Sequence, residues 1–138
     1  MRKTALILLP ILFLLTINAA LAQAPEDRAR FAAEQWIVLV DDGQYDQSWK
    51  EADKIFQDSI AAEEWQKKVA ADRAQLGARQ SRKLKDIKAA PAIKGLPAGQ
   101  YVQVKYLSSY ANKKVANETI TAVLGGDGTW RVAQYTVN

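Results

Sequence analysis

The chain has 138 residues, carries a net charge of +4 and contains neither cysteine nor histidine. These absences exclude disulfides, zinc sites built from thiolate or imidazole ligands, and catalysis by Cys–His pairs or histidine-dependent triads. The length is typical of a single domain. We predict no cofactor and no metal site, and the sequence assigns no catalytic residue.

The amino terminus has the three parts of a secretory signal peptide. A positively charged start precedes an apolar run over residues 5–15, and an Ala-Leu-Ala sequence then ends at Ala22. This small-x-small pattern is the one that signal peptidase reads. We therefore expect a signal over residues 1–22, cleavage between Ala22 and Gln23, and a single exported domain over residues 23–138. The periplasm is the expected location, with the extracellular space as the alternative.

Three helices are predicted in the first half of the exported domain. Apolar side chains recur there at the 3.6-residue spacing of an amphipathic helix. Capping and terminating residues set the bounds. The predicted helices cover residues 26–41, residues 46–58, and the segment from Ser59 to Gly77. Each helix directs one tryptophan to the interior: Trp36, Trp49 and Trp65.

The apolar period then changes, and four strands are predicted: a charged segment with Leu84 and Ile87 as its main apolar residues, followed by three segments in which apolar residues alternate. They cover residues 79–89, 100–110, 114–124 and 129–137. A segment rich in proline and glycine separates the first two, and an Asp-Gly pair favours a tight hairpin before the last. In the last strand, alternation places Trp130 and Val132 on one face and Tyr135 on the other.

Helices followed by a meander of strands predict an α+β fold, in which three helices pack on a curved four-stranded antiparallel sheet. A sheet that curls around a helix forms a cone with a cavity at its wide end. Cystatin-like and nuclear-transport-factor-2-like folds are built in this way. Aromatic residues and one carboxylate are predicted to line this pocket: Trp36, Asp41, Tyr45, Trp49, Tyr101, Tyr106 and Trp130.

Motifs along nearly the whole domain carry a family resemblance. They are Trp36–Tyr45 (WIVLVDDGQY), Ser48-Trp49, Trp65, Arg73, Leu76-Gly77, Ser81-Arg82, Gly99–Tyr101, Tyr106, Tyr110–Lys113, Glu118-Thr119, Asp127–Val132 and Tyr135. In this order they resemble the bacterial exported family known as domain of unknown function 4019. The chain departs from that pattern at Tyr106 and Tyr110, where the family often has phenylalanine, and at Gln134, where it often has glycine. The resemblance implies a small exported bacterial protein and brings no assigned activity.

Two classes of function fit these features. The first is a non-enzymatic envelope protein that binds a small apolar ligand or an envelope protein partner through the cone pocket or the sheet surface. The alternative is an isomerase or dehydratase in which Asp41 or Asp42 is the base and a tyrosine donates to the developing oxyanion. The absence of histidine and cysteine favours the first class. The oligomeric state stays open between monomer and homodimer.

Charge is unevenly distributed, since acidic residues dominate residues 23–64 and basic residues dominate residues 65–94. The basic segment predicts peripheral contact with an anionic membrane. The predicted contacts are Arg79, Arg82, Lys83, Lys85 and Lys88. Nucleic acid is not an expected partner, because aromatic residues do not interleave with these charges. The alternative is a solvated helix face followed by an edge strand that lysines protect from aggregation.

Overall fold

The computed structural model describes residues 24–138. The predicted signal peptide, with its cleavage site between Ala22 and Gln23, lies outside the described residues. Within the described part, no helix is long and apolar enough to cross a membrane.

Four helices precede four antiparallel strands. The helices are α1 (Pro25–Asp41), α2 (Tyr45–Glu51), α3 (Lys54–Ser59) and α4 (Ala62–Leu76). The strands are β1 (Arg79–Ala90), β2 (Tyr101–Tyr110), β3 (Lys113–Leu124) and β4 (Trp130–Val137). The predicted α+β class and the four-stranded antiparallel sheet are confirmed. The strand bounds agree with the predicted ones to within one residue.

The predicted helix over residues 46–58 is two helices in the structure, so the expected number of three helices is wrong. Ala52 adopts an extended conformation, with φ −70° and ψ 162°, and ends α2. The side chain of Asp53 then accepts a hydrogen bond from the backbone N–H of Ile55 at 2.9 Å and caps α3. The break frees the backbone N–H of Asp53, which donates to the carbonyl of Val132 in β4 at 2.8 Å. The apolar periodicity of the sequence does not reveal the break, because Ala52 is buried in the core as a continuous helix would also place it.

The sheet has the order β1-β2-β3-β4, so β1 and β4 are its two edges. We call the face that packs against the helices the inner face and the opposite one the outer face. Val104, Ile120 and Ala122 of the inner face are fully buried in the main core, together with Ala33 and Trp36 of α1. The helices therefore cover the central strands and leave the edges to be closed by other contacts.

A bulge in β4 reverses the predicted direction of one tyrosine. Thr121 pairs with Gln134 while its neighbour Ala122 pairs with Val132, so one residue of β4 is left over. This extra residue shifts the alternation by one. Tyr135 consequently lies on the inner face with Val132, and its ring centroid is 5.5 Å from that of Trp36. Strict alternation had placed Tyr135 on the opposite face.

Indole N–H groups fix the short helix α2 to its neighbours. Trp36 donates to the backbone carbonyl of Ser48 at 2.7 Å, and Trp65 donates to the hydroxyl of the same residue at 2.9 Å. Trp49 donates to the carbonyl of Ile60 at 2.8 Å. Ser48 is fully buried. A seven-residue helix is too short to be stable by itself, so these bonds and the surrounding rings hold it in place.

Candidate functional site

A buried polar network joins three strands of the sheet to two helices. It consists of Asp41 at the end of α1, Arg73 of α4, Arg82 of β1, Glu118 of β3 and Tyr135 of β4, and we call it the Arg82 network. Arg82 binds both oxygens of Asp41, at 2.6 and 3.0 Å. The same guanidinium also contacts both oxygens of Glu118, at 3.0 and 3.2 Å. Its planar fork therefore bridges two carboxylates at once.

Three further hydrogen bonds close the Arg82 network into a ring. The other guanidinium, that of Arg73, donates to Asp41 at 2.8 Å. It also donates to the hydroxyl oxygen of Tyr135 at 3.3 Å. This hydroxyl in turn donates to Glu118 at 2.7 Å. The two positive charges match the two negative charges, so the ring is neutral as a whole.

The pKa values of both carboxyl groups are lowered. The side chain of Glu118 is fully buried, and that of Asp41 is 14 % exposed. Burial alone would raise their pKa values, but hydrogen bonds and the charge of Arg82 outweigh it. The pKa of Tyr135 is raised, first by burial and then by the negative charge of Glu118. The carboxylates therefore stay ionised and the phenol stays protonated at neutral pH.

An open cleft lies beside the Arg82 network, between α3, α4 and β4, and we call it the α4–β4 cleft. Its volume is about 380 Å³. Aromatic and aliphatic side chains form most of its wall, and charged side chains of α4 stand at its border. The residues that define it are Phe56, Ile60, Trp65, Val69, Leu96 and Tyr135, with Lys68, Asp72 and Arg73 at the border.

A second, more polar cleft of about 400 Å³ adjoins the first. Both are lined by Lys68 and Asp72 of α4 and by Val137 of β4. The second cleft adds Asn112 and Lys113 from the turn between β2 and β3. Together the two clefts form a groove along β4. One end is apolar, and the other is polar and cationic only through Lys113, since Lys68 is paired with Asp72.

Residues 32–135 match the family described as protein of unknown function (DUF4019). The chain belongs to this family. The resemblance that the motifs predicted is thereby confirmed, and the five residues of the Arg82 network all lie within the matched range. None of the curated proteins compared with the chain matches it.

The residues predicted to line one pocket of this DUF4019 domain lie in separate places. Trp36 and Trp130 are buried in the main core. Tyr101 is on the outer face, where its hydroxyl donates to the carbonyl of Pro97 at 2.5 Å. Tyr106 is on the inner face, and burial raises its pKa to about 12. Trp36 and Trp130 both line an open cleft of about 560 Å³ between α1, α2 and β4, and Tyr101 and Trp130 both line another of about 300 Å³. None of these four residues lines the α4–β4 cleft.

The other three predicted pocket residues lie around α2. Asp41 and Tyr45 line a small open depression at the end of α1. Trp49 is half-buried against the main core and is held by its bond to Ile60. Asp41 was expected to line the pocket and, in the enzyme alternative, to be a candidate base. Its partners in the structure are Arg73 and Arg82 instead.

One member of the predicted anionic-surface contact is corrected by the structure. Arg82 was expected to point to solvent, but its side chain is only 10 % exposed because it holds Asp41 and Glu118. Arg79 also lies close to Asp41, at 3.2 Å, and is 37 % exposed. The three lysines at positions 83, 85 and 88 are exposed. The predicted membrane contact therefore rests on these lysines.

Sequence reasoning assigned no role to Glu118, although the strand pattern contained a signal for it. By alternation, Glu118 shares the inner face of β3 with Ala116 and Ile120, which are fully buried. A charged residue at an inward position requires a partner of opposite charge. Only the fold shows that Arg82, paired across β2, supplies it.

Proposed function

We propose that this protein is an exported, periplasmic binding module without enzymatic activity, and that its ligand enters the α4–β4 cleft. The export part rests on the signal pattern of residues 1–22. We further propose that the domain is a small cone of the cystatin-like or nuclear-transport-factor-2-like kind. Helices packed on one face of an antiparallel meander support this assignment.

The observation that carries the binding proposal is the contrast between the cleft and the Arg82 network. Ligand sites are typically concave, of ~300–1,000 Å³, and mostly apolar with a few polar groups. The α4–β4 cleft has this size and lining. The charged groups on the inner face of the sheet, in contrast, form ion pairs with each other. A ligand in the cleft would contact Arg73 and Tyr135, which belong to both the cleft and the network.

The state of the carboxylates argues against the isomerase or dehydratase alternative. A general base works best when its pKa is near the operating pH and when it can reach the substrate proton. Asp41 is held by Arg73 and Arg82, and its pKa is lowered. Glu118 does face a tyrosine hydroxyl, that of Tyr135, but it is fully buried and also has a lowered pKa. Neither carboxylate has the properties of a base.

Filling the cleft is expected to abolish binding without unfolding the domain. Ser59 is exposed at the cleft wall, so Ser59→Trp places an indole in the space of the ligand. The apolar probe 1-anilinonaphthalene-8-sulfonate should bind at least about tenfold more weakly to Ser59→Trp than to the native chain. Ser59→Ala is the matched control, because it loses the same hydroxyl but leaves the cleft open.

Native mass spectrometry of the same three proteins, purified from the envelope, reports a retained ligand directly. The native chain and Ser59→Ala should carry an added mass that Ser59→Trp lacks, and the protein mass should correspond to a chain that begins at Gln23. Equal probe binding by all three proteins, with equal melting temperatures, would show that the cleft is not the binding site.

We also propose a peripheral contact between the outer face and an anionic membrane. A register shift between Leu84 and Asp86 places Lys83 opposite Leu107 and Lys88 opposite Gln103. Both lysines thus share the outer face with Lys105, although they are five positions apart. The irregularity in β1 gathers these three positive charges on one surface, where Asp86 also lies opposite Lys105.

The expected result is co-sedimentation with phosphatidylglycerol vesicles at low salt that declines as salt screens the lysines, with a Debye length of ~10 Å at 0.1 M. Replacing Lys83, Lys85 and Lys88 with glutamine should remove this binding. Replacing Lys54, Lys67 and Lys94 with glutamine lowers the net charge by the same amount, and this control variant should still bind the vesicles. Binding that ignores salt, or that is absent at low salt, would contradict the proposal.

A further inference from the structure

We infer that the occupant of the α4–β4 cleft is an extended segment of another polypeptide, which pairs with β4 as a fifth strand. The inference deepens the binding proposal and rests on it, since both use the same cleft. The segment would carry apolar side chains at alternate positions and acidic side chains at the end that lies beside Lys68 and Lys113.

The free edge of β4 presents the backbone groups that such pairing requires. In an antiparallel ladder, hydrogen-bonded and non-hydrogen-bonded residue pairs alternate. Asn117 and Asn138 exchange both backbone hydrogen bonds, at 2.9 and 3.0 Å. Thr136 lies two positions before Asn138, so its backbone N–H and C=O groups also point towards β3. The backbone N–H and C=O groups of Tyr135 and Val137 therefore point away from β3.

These groups remain available in the described part of the chain. Among residues 24–138, the backbone hydrogen bonds outside the helices and the sheet do not use the N–H or C=O groups of Tyr135 or Val137. Both residues are only partly buried. With a rise of about 3.3 Å per residue, a segment of about five residues is long enough to pair with both.

The chain already uses the other half of this edge for the same type of bond. The N–H of Asp53, in the break between α2 and α3, donates to the carbonyl of Val132 at 2.8 Å. Beyond the bulge in β4, no such backbone hydrogen bond from the described helices and loops reaches the β4 edge at Tyr135 or Val137. The groove begins there, so an incoming strand would extend along β4 a pairing that the protein itself starts.

The walls of the groove define the side chains that fit. Because alternate residues of a strand point to opposite faces, every second side chain of the segment would enter the apolar end, between Trp65 and Val69 of α4 and Ile60. The cationic end has Lys68, which is paired with Asp72 at 2.5 Å, and Lys113. Among the described residues, Lys113 has no ion-pair partner. Because Asp72 neutralises Lys68, the excess positive charge of this end is that of Lys113, and it favours an acidic group next to Val137.

Two synthetic heptapeptides test the inference. Both alternate valine with threonine, and two glutamates stand at the amino-terminal end for antiparallel docking or at the carboxyl-terminal end for parallel docking. We expect one of them to bind the exported domain and to displace 1-anilinonaphthalene-8-sulfonate. At saturation, hydrogen exchange of the Tyr135 and Val137 amides, followed by NMR, should slow by at least about tenfold. A ligand that fills the cleft without pairing would not protect these two amides.

Backbone substitution separates strand pairing from apolar filling. The same peptide with N-methylated valines keeps its side chains but loses its backbone donors, and it should bind more than about tenfold more weakly. On the protein, Val137→Pro removes one N–H from an edge strand, where proline is tolerated, and should weaken binding about fivefold. Val137→Thr keeps the N–H and should bind within about twofold of the native chain.

The outcomes distinguish this inference from the proposal on which it rests. If the dye occupies the cleft but neither peptide binds, or if N-methylation has no effect, strand pairing is wrong and the binding module stands. If Ser59→Trp has no effect on dye binding either, both are wrong. Peptide binding with unprotected Tyr135 and Val137 amides would also overturn the strand inference.

Discussion

Arg82→Ala is expected to lower the free energy of unfolding by about 3–5 kcal/mol, the range typical when one partner of a buried ion pair is removed. The variant leaves Glu118 fully buried without its guanidinium partner, while the hydroxyl of Tyr135 still donates to it. Asp41 keeps Arg73 and Arg79 but loses both bonds to Arg82. Urea unfolding followed by tryptophan fluorescence measures the effect. Lys83→Ala, at the next and exposed position, is the control and should change stability by less than about 0.5 kcal/mol.

The pH dependence of this difference tests its electrostatic origin. The carboxyl pKa values of Asp41 and Glu118 are lowered in the folded state, so their contribution is complete above the ordinary carboxyl pKa of about 4. It is lost as the pH falls through the folded values, because protonation then accompanies unfolding. The gap between the native chain and Arg82→Ala should therefore narrow from pH 6 towards pH 3. A gap that stays constant would assign the loss to packing of the arginine side chain.

Trp36→Ala is expected to destabilise the domain by about 3–5 kcal/mol, the usual range for truncating a buried large aromatic residue. Trp36 is 3 % exposed and has the rings of Phe56, Trp65 and Tyr135 at centroid distances of 5.7, 6.0 and 5.5 Å. These contacts join α1 to α3, α4 and β4 at one point. Thermal and urea unfolding should both show the loss, and an unchanged midpoint would contradict the placement of this residue.

Replacing two tryptophans by phenylalanine separates the contribution of ring packing to stability from that of the indole hydrogen bond. In Trp36→Phe, the carbonyl of Ser48 loses the donor that it has at 2.7 Å. The indole nitrogen of Trp130 is buried and has no hydrogen-bond partner among the described residues. Trp36→Phe should therefore cost about 1 kcal/mol more than Trp130→Phe. Equal costs would show that the bond to Ser48 contributes nothing measurable.

Local patterns were sufficient for the strand bounds and for the carboxyl ends of the long helices. The predicted helix start at Ser59 is wrong, because Ser59 is the last residue of α3 and α4 begins at Ala62. Apolar residues recur at alternate positions through most of β2 and β3. Gly77, with φ 73°, ends α4 as its position after the last apolar residue predicts. The break at Ala52 could not be predicted in this way. It depends on the bond from Asp53 to Val132, a residue far away in sequence. The bulge that turns Tyr135 inward likewise depends on the register between β3 and β4.

The candidate site was less accessible from the sequence than the fold. An inward position for Glu118 follows from alternation alone, but the choice of Arg82 as its partner does not. The basic segment contains several arginines and lysines that look alike in composition. Whether one of them is buried depends on where β1 crosses the end of α1, which is a property of the tertiary fold. The groove beside β4 depends in addition on which strand forms the edge of the sheet.

The ring of the Arg82 network also bears on the order in which the domain can form. Its members come from α1, α4, β1, β3 and β4. In the sequence they extend from Asp41 in the first helix to Tyr135 in the last strand. Contacts between such distant parts of a chain form late, because long loops must close first. Until β4 is in place, Glu118 lacks one of its donors and Arg73 one of its acceptors. The two hydrogen bonds of the Tyr135 hydroxyl therefore form only once β4 pairs with β3, and the ring is closed by the final strand.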